Sequence, residues 1–132
     1  MAALRHIDIT DLKSVADARE ATRDIAHALS FAPRDVRPVL NIVTEIALSC
    51  LDLGQSGRMS LSGIERADLR GICIIHRFPM AHSGPQADSD HFASPSLALG
   101  GMKNLSDHFQ ISRSAGEVTV NAVKWASIEG TN

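Results

Sequence analysis

The sequence predicts an α+β fold, a two-layer sandwich of a mostly antiparallel sheet with helices on one face. Two amphipathic helical patterns follow one another in the first half, two strand-like apolar segments pair in the middle, and two more flank a glycine turn near the end. The order reads β-α-α-β-β-loop-α-β-β, without internal repeats.

HIDIT, residues 6–10, alternates Ile7 and Ile9 with polar residues and reads as a short strand. Thr10 or Asp11 can cap the helix that follows, whose Leu12, Val15, Ala18, Thr22, Ile25 and Leu29 recur at steps of three and four. Pro33 suits the first turn of a second helix. Val36, Val39, Leu40, Val43, Ile46, Ala47, Cys50 and Leu51 give it a wide apolar face until Gly54 stops it, so it is expected to be the central, most buried helix. GRMSLSGI alternates Met59 and Leu61 with serines, and GICIIHRF is a near-continuous apolar run. The two can pair as antiparallel strands across a polar turn near Asp68. From Pro79 to Ser96 the chain is rich in Pro, Ser, Asp, His and Ala without a period, and a loop of that length in a small domain is usually functional or disordered. GGMKNLSDHF then reads as a helix opened by two glycines, with Met102, Leu105 and Phe109 inward. FQISR and VTVNAVKW close the sheet around the turn SAGE.

A chain of 132 residues, 44% hydrophobic and 21% charged, can bury one ordinary core, so residues 1–132 are read as one domain. The formal net charge is −2, and the basic residues look scattered rather than gathered on one face, which argues against nucleic acid as the main partner. The N-terminus lacks the apolar core of a signal peptide, and no run approaches the roughly 20 residues needed to span a bilayer. The expectation is a soluble, cytoplasmic protein. Cys50 and Cys73 lie in apolar runs without CxxC spacing, which predicts buried, reduced thiols. His76, His82 and His91 with Cys73 match no familiar zinc spacing, so no metal site is expected.

The element order resembles the ATP-binding domain shared by histidine kinases, gyrase, Hsp90 and the small anti-sigma serine kinases. Locally, ADAREATRDIAHALSF, TEIALS, GGMKNLSDHFQI and SAGEVTVNAVKW are similar to the anti-sigma regulatory kinases, in particular the switch-protein serine kinase of bacterial stressosomes. The likeness covers nearly the whole chain. It implies a histidine-kinase-like ATPase fold and a role in signal transduction and stress-response regulation.

In that family three clusters hold ATP. On the central helix a Glu, followed four residues later by an Asn, supplies a general base and a Mg²⁺ ligand on one helical face. Glu45 matches the first, while Ser49 stands at the position of the Asn, with a shorter reach. After the strand, an Asp-x-Gly-x-Gly pattern sets a carboxylate against the adenine amino group. Counted from CIIHRF, the Asp falls on Phe78 and the glycines on Met80 and His82, and neither Asp nor Glu occurs between Leu69 and Ala87. Phenylalanine accepts no such hydrogen bond, and large side chains fill the space that adenine needs.

The third cluster is a glycine-rich lid whose backbone amides cradle the phosphates. In SPSLALGG its positions fall on Ser94, Ser96 and Ala98, while Gly100 and Gly101 remain, so residues 79–98 read as a degenerate ATP lid.

The resemblance together with these losses implies a pseudokinase-like regulator that needs no cofactor, with Glu45 as a residual catalytic residue at most. Its expected partners are proteins: a STAS-domain antagonist or scaffold, or a downstream regulator such as a phosphatase activated by binding. Nucleic acid and membrane are not expected as partners, and a homodimer is compatible with the resemblance. The alternative is an active serine/threonine kinase that phosphorylates a STAS-domain serine with ATP and Mg²⁺, using Asp88 or Asp90 as a displaced carboxylate and Glu45 as proton acceptor.

Overall fold

The computed structural model describes residues 4–79 and 105–127. In chain order the elements are β1 (Leu4–Ile9), α1 (Leu12–Ala28), α2 (Pro33–Asp52), β2 (Gly57–Arg66), β3 (Leu69–Pro79), β4 (His108–Ser114) and β5 (Glu117–Trp125). All strand pairs are antiparallel, and the spatial order is β1-β2-β3-β5-β4. The fold is therefore α+β, a five-stranded antiparallel sheet with two helices, compatible with a two-layer sandwich. None of the helices of the described residues is long and apolar enough to cross a membrane.

Local chemistry accounts for the helix ends. Asp11 is the N-cap of α1: its carboxylate accepts from the Ser14 amide at 2.9 Å, and the Ser14 hydroxyl accepts from the Asp11 amide at 3.0 Å. This reciprocal pair satisfies two of the helix's orphan donors. Pro33 opens α2, where its missing N–H has no helical partner to lose. Beyond the α2 cap at Leu53, Gly54 takes a left-handed φ of 75° and turns the chain toward β2.

Strand register sorts the sheet into two faces. Ile7, Met59, His76, Val120 and Ile111 form one row across all five strands, and Leu61, Ile74 and Ala122 lie in the next row. These residues share the face on which the helices pack, α1 over β1 and β2 and α2 over β3 and β5. Val15, Ala18, Ile25, Val39, Val43 and Ile46 meet that face to form the core. The opposite face carries Ser60, Ser62, Cys73, Ile75, Asn121 and Val123.

Four sequence expectations require correction. Leu12 does not join the buried stripe of α1; it is 71% exposed, because it lies roughly 100° around the helix from the middle of that stripe. The helix expected over residues 100–109 does not reach its end, since His108 and Phe109 belong to β4. There Phe109 pairs with Ala122 on the helix-facing side, so strand alternation satisfies the same apolar side chain. The rest of that expected helix, Gly100 to Asn104 with Met102, lies outside the described residues. Cys73 is half-buried on the opposite face rather than in the core. The first strand covers residues 4–9 rather than 6–10, starting two residues earlier and ending one sooner, with Ile7 and Ile9 on the same face as expected.

Candidate functional site

The residues that the resemblance assigns to nucleotide chemistry divide between α2 and β3. Glu45 and Ser49 are four residues apart on α2, one helical turn, and so share a strip of its surface. Glu45 is half-buried and Ser49 is buried. The direction of that strip follows from the other side of the helix. Arg19 of α1 donates to the Thr44 hydroxyl at 2.6 Å, which marks the side of α2 turned toward α1. Leu40 shares that side, one turn earlier. Ser49 comes nine residues after Leu40, about two and a half turns, and therefore points away from α1.

On β3, Phe78 is the next-to-last residue and faces the helices, 5% exposed and paired with Val118 of β5. Its ring lies 5.7 Å from the His76 imidazole. At the position that would carry the adenine-binding carboxylate there is thus a buried phenyl side chain. It offers no hydrogen-bond acceptor, so among the described residues this position does not fit adenine. Met80, His82, Ser94, Ser96, Ala98, Gly100 and Gly101 lie outside the described residues, as do Asp88, Asp90 and His91.

His76 is the electrostatic anomaly of this region. The side chain is fully buried, and neither ring nitrogen has a hydrogen-bond partner. Burial pushes its pKa down to about 4 by penalising the imidazolium. The Arg58 backbone pulls weakly the other way, but no hydrogen bond of acceptable geometry forms, so desolvation dominates. Buried polar atoms are normally paired, and an orphaned imidazole beside a phenyl ring is a costly choice for a core.

The cysteines hold no reactive thiolate here. Burial pushes Cys50 up to about 12, and its thiol donates to the Gln55 carbonyl at 3.3 Å. Burial also raises Cys73, against a smaller opposing pull from Ser62. Among the described residues no group of three or more His, Cys, Asp or Glu side chains comes together as a metal site.

One feature escaped the linear sequence. Arg19, Arg23 and His27 recur every fourth residue on α1 and meet Arg37 of α2 around a groove of about 750 Å³ between the two helices. Basic residues that look scattered along the chain are gathered by the fold. The i, i+4, i+8 spacing in AREATRDIAH was the available signal.

No family model matches the chain, and a search of curated proteins likewise found no match.

Proposed function

We propose that the chain is a regulatory binding module of the anti-sigma and stressosome serine-kinase type, with a histidine-kinase-like ATPase fold, that does not bind ATP in the manner of those kinases. It acts stoichiometrically, by binding a STAS-domain antagonist or scaffold or a downstream regulatory protein. The observation that carries this reading is the buried Phe78 side chain at the position of the adenine-binding acid. An antiparallel sheet with helices packed on one face supports the fold assignment. The Glu45–Ser49 strip retains the carboxylate of the family's helix but replaces its amide with a hydroxyl, which weakens Mg²⁺ coordination.

The test mixes the purified chain with a co-encoded STAS-domain protein and follows complex formation by gel filtration, with labelled ATP present or absent. A complex that forms equally well without nucleotide, with no label on the STAS serine, is the expected result. Transfer of label would overturn the proposal in favour of an active kinase with Glu45 as base, and failure to form any complex would overturn the partner assignment.

A further inference from the structure

We propose that the groove between α1 and α2 docks an acidic segment of a partner protein, one that sets an apolar side chain on the groove floor and carboxylates on its arginine rim. The inference deepens the partner-binding reading above and rests on it for the existence of a protein partner.

The argument begins with uncompensated charge. The chain as a whole is acidic, with a formal net charge of −2, yet Arg19, Arg23 and Arg37 converge on this one concavity. Asp24, the acid at the groove, is already engaged by Arg5 at 3.5 Å. Arg19 bonds only the neutral Thr44 hydroxyl, and Arg23 and Arg37 have no hydrogen-bond or ion-pair partner among the described residues. Like charges crowded without counter-charge repel one another, and a carboxylate-bearing partner relieves that repulsion with the bidentate geometry guanidinium favours.

The floor selects among anions. Phe31, Val36 and Leu40 line it with apolar surface. Arginines alone would also take phosphate, but a hydrated phosphate has no use for an apolar floor. A nucleic-acid strand would need a longer basic track than this locally charged groove on an acidic chain supplies. An apolar floor with a cationic rim matches a peptide with large apolar anchors at helical spacing flanked by acidic side chains, the helix-in-groove mode of recognition.

The groove meets the nucleotide-type strip at Asn41, which lines it one turn before Glu45. Leu40 and Thr44 face α1, and Ser49 lies about half a turn around the helix from Leu40. Arg23 lies on α1 and Arg37 stands two turns before Glu45, about 12 Å along the axis, so their substitution leaves Glu45 and Ser49 in place, and ATP titration of the same variant separates a failure of the docking proposal from a failure of the nucleotide-free reading.

The experiment selects binders from a random peptide library against the intact chain, then measures the best synthetic peptide by fluorescence anisotropy. The wild type is compared with the Arg23→Glu/Arg37→Glu double variant and with Ser49→Ala. Both arginines are exposed and bond nothing among the described residues, so charge reversal is expected to leave the melting curve unchanged. Selected peptides are expected to carry acidic and large apolar residues, to bind less well as salt rises, and to lose about tenfold or more in affinity on charge reversal but not in Ser49→Ala. Selection that yields no binder, peptides without acidic residues, or equal affinity for the charge-reversed chain overturns the proposal. Tighter binding of inorganic phosphate or of a single-stranded oligonucleotide at the same arginines overturns it in favour of those anions.

Discussion

The Gly57 backbone lies directly against the His76 imidazole: a Cβ on Gly57 would stand 2.7 Å from both Cε1 and Nε2 of that ring and 2.6 Å from the Arg77 carbonyl oxygen. The histidine occupies the space a side chain at the start of β2 would fill. Gly57→Ala is therefore expected to destabilise the protein by about 2 kcal/mol, because the closest obstacle is backbone and cannot rotate away. Urea denaturation checks this; an unchanged midpoint would show that the ring and the end of β3 move freely.

The same histidine predicts acid lability. Its folded pKa is depressed from 6.5 to about 4, so the unfolded chain takes up the proton first as pH falls. The stability contributed by keeping the ring neutral is intact above about pH 6.5 and is lost between 6.5 and about 4, in total about 3 kcal/mol. Below that window both states are protonated and this group causes no further loss. His76→Leu, of similar volume and with no polar atoms to leave unpaired, is expected to be at least as stable at neutral pH and to flatten the profile across the window. Stability curves for both proteins from pH 4 to pH 7.5 decide it, and parallel curves would contradict the burial argument.

The β4–β5 turn offers a gain rather than a loss. Ala115 and Gly116 both take left-handed φ values, 54° and 77°, the signature of a type I′ turn. Alanine is strained there, whereas asparagine tolerates the conformation. Ala115→Asn is expected to stabilise the protein by about 0.5 kcal/mol or more, visible as a raised melting temperature. A lower one would mean the turn is held by something other than its own backbone preference.

Much of this architecture was legible because its signals are local. Thr10 or Asp11 offers a helix cap, which the structure assigns to Asp11; Pro33 and Gly54 bracket α2, and SAGE marks the closing hairpin. The misreadings arise where local signals are ambiguous or the decisive contact is distant. Phe109 is apolar in either a helix or a strand, and only pairing with Ala122 settles which. GICIIHRF is apolar on both faces, so its pattern does not say where His76 or Cys73 points; register against Met59 and Val123 does. For the candidate site, Glu45, Ser49 and Phe78 could be named from spacing and resemblance. The arginine groove could not, because Arg37 joins Arg19 and Arg23 only when α2 packs on α1.

The central claim is that the nucleotide position is closed by Phe78, and calorimetric titration with ATP, with and without Mg²⁺, tests it most directly, accompanied by thermal melting at millimolar nucleotide. The account predicts no binding heat and an unchanged melting temperature, since a ligand that does not bind the folded state cannot stabilise it. Saturable heat with Mg²⁺-dependent stabilisation would contradict it and would make the chain a nucleotide-binding protein whose adenine contact lies elsewhere than Phe78.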